Sequence, residues 1–309
     1  MNFLPLEFAE FLKPNCNRFE YLKSWITKLE IPFTVLPIES KNHIFINFPK
    51  SCYSPLFKTK TLLVHYDRVE NTPGANDNSA AVCQVLLWAK KIYNSPIVHN
   101  LRIIFTDGEE LGCTKDQGAY GIASLYKKLG ISQDEVFVLD GCGRGDILVV
   151  STAGKNLKIK GNYQSAFEAL YNKAISLATK TSPNKWITIP VPYGDNAGFI
   201  ACGIPAVAIT VLPAEEATVY MRQLQKEKTF SRTVLDRKVG TKFSEKAKNL
   251  MEKEKLPWTW RSMHTKYDDI PILSQEAFIL MDRFLDNLAD SKTMRWFSAL
   301  WGEKTHFFR

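Results

Sequence analysis

The sequence predicts an α/β fold, a three-layer α/β/α sandwich around a central mixed, largely parallel sheet. Three observations predict it. Short apolar runs such as TLLVHYD, LRIIFTDGEE and EVFVLDG alternate with helical patterns such as SAAVCQVLLWAKKIY and GAYGIASLYKKLG, the order of βαβ units. The runs are apolar along almost their whole length, as strands covered on both faces are. Several end in turns carrying His, Asp or Glu, and in such sheets ligands gather beyond the carboxyl ends of the strands.

Taken in order, LEFAEFL and FEYLKSWITKL place apolar residues three and four apart, predicting a helical segment over about residues 1–30. FTVLPIE and HIFINF are β-rich runs separated by the turn-like SKN. TLLVHYD reads as a buried strand ending at His65 and Asp67, and SAAVCQVLLWAKKIY as a strong helix after Asp77. LRIIFTDGEE is a strand running into a turn at Glu109 and Glu110, and GAYGIASLYKKLG is a helix ended by glycine. EVFVLDG ends at Asp140. ILVVST is a fourth such strand, FEALYNKAISLAT a further helix, IPAVAITV a late core strand and EAFILMDRFLDNLAD the closing helix.

Between about residues 213 and 260 the chain becomes rich in lysine and arginine and poor in core residues. This stretch reads as a solvated helical insertion near the site mouth, with a substrate-selecting lid as the sharper alternative. No repeat or low-complexity linker is present, so the 309 residues form a single catalytic domain with one excursion.

Composition is that of an ordinary globular protein, with 45% apolar and 23% charged residues. The net charge of +8 is spread over the chain rather than gathered in one dense tract, which argues against nucleic-acid binding. Cys16, Cys52, Cys83, Cys113, Cys142 and Cys202 show no paired spacing and read as free thiols of a reducing compartment. The amino end lacks a basic start and an apolar core, and no apolar run approaches the roughly 20 residues of a membrane helix. A cytoplasmic protein with no membrane partner is expected.

Taken singly, the candidate residues have ordinary readings. His65 is a strand-end histidine, Asp77 in GANDNS a helix cap, Glu109 and Glu110 a solvated pair, and His264 a loop residue. Together they read differently. His65 and Asp67 are two apart on an extended strand and share a side, so Asp67 is placed to hold the His65 ring from its far nitrogen. Adjacent buried glutamates need a compensating cation, and on a turn one can bind metal while the other acts as general base. Imidazole and carboxylate without thiolate suit zinc, manganese or cobalt.

With HYD, PGANDNSAAV, DGEELG, the strand-terminal VLD, GDNAGF and MHTKYDD in one order over about residues 60–290, the chain resembles the cocatalytic zinc aminopeptidases of metallopeptidase family twenty-eight, which includes bacterial leucyl aminopeptidases. The resemblance implies a zinc-exopeptidase fold, two zinc ions, and a peptide substrate with a free amino terminus. It implies that His65 and Asp140 bind one zinc, that Glu110 and His264 bind the other, and that Asp77 bridges them. Glu109 is then the general base and Asp67 the residue that orients His65. It also implies a cis peptide between Asp77 and Asn78, and a position near the pocket for Asp195. Tyr120, Tyr193, Tyr220 and Tyr267 are pocket or oxyanion candidates.

Two other readings compete. A glutaminyl cyclase has a similar fold and similar motifs, with one zinc held by Asp77, Glu110 and His264. Cyclases favour tryptophan before the last histidine, where this chain has Met263, although Trp258 and Trp260 lie close. A binding protein that has lost catalysis would show broken ligand positions, and here all six are present.

Overall fold

The computed structural model describes residues 3–227, 229–235 and 255–295. Residues 228 and 236–254 of the basic stretch, and residues 1–2 of the helical amino-terminal segment, lie outside the described residues.

Two helices open the chain, α1 (Leu6–Phe11) and α2 (Arg18–Lys28). The Asn17 side chain caps α2 by accepting from the Glu20 N–H. A hairpin follows, β1 (Phe33–Ile38) and β2 (Lys41–Ile46), and then the strands β3 (Lys60–His65), β4 (Leu101–Thr106), β5 (Glu135–Leu139), β6 (Ile147–Ser151), β7 (Trp186–Ile189) and β8 (Ala206–Leu212). They form one sheet in the order β1-β2-β4-β3-β5-β8-β6-β7. The four central strands β4, β3, β5 and β8 are parallel, β2 is antiparallel to β4, and β6 and β7 run against β8. The sheet is therefore mixed and parallel at its centre, as predicted.

Alternation along these strands makes the three layers. Leu62 and Val64, Phe137 and Leu139, and Val207, Ile209 and Val211 face one core. That core is shared with α3 (Ala80–Tyr93), α5 (Tyr163–Thr181) and the last helix, Gln275–Asp290. Leu63, Val136, Val138, Ala206 and Ala208 face the other core with α4 (Gly118–Lys128) and the short α6 (Asn196–Ala201). The last helix buries Ala277, Leu280, Met281, Phe284, Leu285 and Leu288, a stripe at spacings of three and four.

The basic stretch differs from the solvated insertion expected. Its described parts form α7 (Ala214–Lys226), α8 (Phe230–Val234) and α9 (Trp258–Ser262), so the last helix is α10. Ala217, Tyr220, Phe230, Leu256 and Trp260 are buried there and pack with Val149, Ile189 and Leu212 of β6, β7 and β8. A few apolar side chains set among many charges are enough to cover that end of the sheet.

His43 and His99 are buried, and each Nδ1 accepts a backbone N–H, from Asp107 and from Leu101. Burial pushes both imidazoles down to about 4, helped at His99 by Lys60 and Lys292. The unfolded chain takes up these protons first, near pH 6.5. Their stabilising contribution is thus full above that pH and is lost as pH falls toward 4. Stability should drop across this window by at most about 1.4 kcal/mol per pH unit for each proton taken up. Urea midpoints at pH 7 and pH 5 check this: His99→Asn, which keeps an acceptor for Leu101, should show the smaller drop, and equal drops would contradict it.

Candidate metal centre

Three elements end at one place. β3 delivers His65 and, just beyond it, Asp67; the turn after β4 delivers Glu109 and Glu110; Asp140 follows β5 directly. Asp77 lies in the irregular turn Ala75–Ser79 that leads into α3, where the Asp77–Asn78 peptide is cis. Gly74 opens this turn with φ +63°, and a Cβ there would stand 2.7 Å from the Asp77 carbonyl oxygen. His264 arrives after α9 with φ +62°, in the left-handed region that non-glycine residues seldom occupy.

His65 Nε2 lies 3.3 Å from Asp77 Oδ1 and 3.7 Å from Asp140 Oδ1, and its Nδ1 lies 3.5 Å from Asp67 Oδ1. His264 Nε2 is 3.0 Å from Asp77 Oδ2 and 3.0 Å from Glu110 Oε2. Candidate ligand atoms of His65, Asp77 and Asp140 lie within 4.8 Å of one another, as do those of Asp77, Glu110 and His264, and those of His65, Glu109 and Glu110. Asp77 is common to the first two groups and offers a different oxygen to each histidine.

His65 Nε2, Glu110 Oε1 and Asp140 Oδ1 are buried without a hydrogen-bond partner. Buried polar atoms left unmatched cost free energy, and several converging on one point call for a cation. The donors are nitrogen and oxygen only, so zinc, manganese or cobalt fits the set.

The electrostatics agree. Burial raises the Glu109 carboxyl well above the usual range, reinforced by Asp140 and Glu110 and opposed by His65; burial raises Glu110 too, against hydrogen bonding from His264. Burial also acts on Asp77, but His264 and His65 outweigh it and hold its carboxyl below the usual range. His264 rises to about 11 through its contacts with Asp77 and Glu110. His65 is buried, yet the carboxylates of Asp140, Asp67 and Asp77 around it raise its affinity for a proton. A pocket that holds protons this tightly is one in which positive charge is wanted, and metal ions would supply it.

Asp67 serves twice. Besides facing His65, it accepts the Glu109 N–H at 3.2 Å and the Glu110 N–H at 3.0 Å, pinning the glutamate turn to the end of β3. Gly194 stands close behind Asp140: a Cβ there would meet Asp140 Oδ2 at 2.7 Å.

A layer of supporting residues lies outside what the sequence reading picks out. Asp268, wholly buried, accepts the N–H groups of Asn76 at 2.7 Å and Asp77 at 3.0 Å. Asn78 donates to the Leu139 carbonyl at 2.7 Å and accepts the Gly141 N–H at 3.3 Å, while Asn76 accepts the Gly143 N–H at 2.7 Å. The two asparagines tie the Asp77 turn to the chain on either side of Asp140. Their place beside Asp77 in GANDN is the available signal. Arg18 of α2, also buried, donates to the Tyr66 carbonyl and to Ser79 Oγ, joining the amino-terminal helices to both strand end and turn. Asp268→Ala should weaken metal binding by roughly 10–100-fold, the usual cost of losing an outer hydrogen-bond partner; competition with a chelator measures it, and unchanged affinity would remove Asp268 from the site.

Asp195 lies near the pocket, one residue beyond its wall. It is wholly buried at the start of α6 and accepts from the Thr106 hydroxyl, and burial pushes its carboxyl up to about 7. The cavity wall is formed by the residues just before it, Val191 to Gly194. Of the four tyrosines, Tyr193 lines the cavity; Tyr220 is buried and donates to the Pro190 carbonyl, Tyr267 is 60% exposed, and Tyr120 is not on the cavity wall.

A parallel-centred sheet with imidazoles and carboxylates gathered at its carboxyl edge is the architecture of a metal-dependent hydrolase. The model of Peptidase family M28 matches residues 58–288, and the chain belongs to that metallopeptidase family. The LapA aminopeptidase of Legionella pneumophila superposes with a TM-score of 0.61 at 13% identity, over 92% of this chain and 68% of that one. A glutaminyl cyclase from an Acidobacteriales bacterium gives 0.58 at 12% identity, over 92% and 89%. One from Macrostomum lignano gives 0.55 at 15% identity, over 91% and 87%. These likenesses are of fold. No curated protein matches the chain. Among the described residues no helix is long and apolar enough to cross a membrane.

Proposed function

We propose that this chain is a metal-dependent aminopeptidase that hydrolyses the first peptide bond of substrates with a free amino terminus. The observation that carries the reading is the sharing of Asp77 between two ligand groups, one with His65 and Asp140 and one with Glu110 and His264. These residues would hold two zinc ions with Asp77 as the bridge; manganese or cobalt would suit the same donors. When bound, the ions supply a Lewis acid for the substrate carbonyl and a lowered water pKa.

The chain's own residues do the rest. Glu109, on the cavity wall, accepts the proton of the attacking water at a carboxylate oxygen and passes it to the departing amine nitrogen. Asp67 orients the His65 ring and holds the Glu109 and Glu110 turn in place. The substrate α-ammonium lies at the acidic end of the cavity, lined by Asp77, Glu109, Glu110 and Asp140, which favours a free amino terminus there.

Glutaminyl cyclisation is the second reading. Asp77, Glu110 and His264 are enough for one zinc, and Trp260 lines the cavity. The zinc-loaded protein, given leucyl-arylamide and a peptide with amino-terminal glutamine, separates the two. Release of arylamine supports the aminopeptidase; pyroglutamate without arylamine replaces it with the cyclase.

A further inference from the structure

The cavity beside the carboxylates has a volume of about 260 Å³, small beside the roughly 300–1,000 Å³ of common ligand pockets. Val191, Leu256, Trp260 and Met263 give it an apolar side, and among the described residues Arg261 is the one lysine or arginine that lines it. Arg261 Nε donates to the Leu256 carbonyl at 3.1 Å. The two Nη groups make no hydrogen bond or ion pair with any described residue. A guanidinium tethered through Nε, with its Nη donors free, is a planar fork suited to a carboxylate.

The fork stands on a braced support. Glu216 of α7 accepts the Thr259 N–H at 2.8 Å and an Arg144 N–H at 2.5 Å, and Arg144 also donates to Thr259 Oγ1 at 2.7 Å. Glu216 and Arg144 are largely buried, with side chains 13% and 21% exposed. α9, which carries Arg261, is thereby tied both to α7 and to the chain just after Asp140.

We propose that Arg261 binds a substrate carboxylate, and that the site therefore takes short peptides whose anionic group lies one or two residues beyond the bond cleaved. The orientation rests on the aminopeptidase reading: the ammonium end lies among the carboxylates and the anionic end meets Arg261. The small cavity suits a di- or tripeptide. Two sources carry this chemistry, a free carboxyl terminus and an acidic side chain.

Binding separates them without requiring turnover. Zinc-loaded Glu109→Gln protein is titrated calorimetrically with leucyl-glycine against leucyl-glycinamide, and with leucyl-aspartic α-amide against leucyl-asparagine amide. The carboxylate member of a pair should bind at least about tenfold tighter. That gap should vanish when Arg261→Met is added and return in part with Arg261→Lys. A gap in the first pair assigns the carboxyl terminus; a gap in the second pair alone assigns an acidic side chain. No gap in either pair, a gap that survives Arg261→Met, or no peptide binding at all overturns the assignment. Wild-type protein that binds with the gap but releases no amine would instead overturn the aminopeptidase reading and leave Arg261 in its role.

Discussion

Glu109→Gln should lower kcat by roughly 10²–10⁴-fold while metal content stays unchanged. The amide fills the same space but cannot accept the proton of an attacking water. Glu109 is well placed to accept it, since its N–H is fixed on Asp67 and its side chain lies on the cavity wall. Burial raises its proton affinity, with Asp140 and Glu110 adding to the rise. Bound cations would act in the opposite sense, favouring the ionised carboxylate that a base requires. Glu109 also falls in a candidate ligand group with His65 and Glu110, so metal content is the discriminating readout. A variant that loses metal would make Glu109 a ligand, and one that keeps kcat within tenfold would exclude it as the base.

Asp77→Ala should have the largest effect on the metal itself. It removes an oxygen from both main ligand groups at once, whereas His264→Ala removes a ligand from one. The loss of affinity should exceed the roughly 10–100-fold expected for an outer partner such as Asp268. Thermal unfolding with and without zinc checks this. Zinc should raise the Tm of wild type by mass action and leave that of Asp77→Ala unmoved, with His264→Ala between them. An equal rise in Asp77→Ala would show that the bridge does not hold metal.

Much of this is legible in the chain because the informative residues sit where local patterns end. β3, β4 and β5 are nearly continuous apolar runs, and His65, the Glu109–Glu110 turn and Asp140 follow directly from their ends. Helices α3 and α10 are long enough for their periodicity to be plain. β7 escapes such a reading: Trp186–Ile189 is four residues long, mostly half-buried, and abuts Pro190. The reversal of β6 and β7 against β8 is a property of pairing, which neither strand's own pattern encodes. In the basic stretch, Tyr220, Phe230 and Trp260 are too widely spaced among charges to announce a shared core.

Within the site, side-chain identity points to chemistry better than to support. Asp268 stands in MHTKYDD, yet its role depends on two N–H groups more than 190 residues away along the chain. Asp195 shows the reverse. Its motif lies beside the cavity, but the short helix it begins carries the carboxylate inside. Arg261 is invisible as a site residue in the sequence because nothing in WTWRSMH marks which side chain faces the cavity.

The central claim is a centre of two metals sharing Asp77, and metal content per folded chain tests it most directly. Protein stripped with chelator, reloaded with excess zinc and freed of unbound ion should hold about two ions per chain. Asp77→Ala should hold none tightly under the same conditions. One ion per wild-type chain would contradict the shared-aspartate centre, and no retained ion would contradict a metal site altogether.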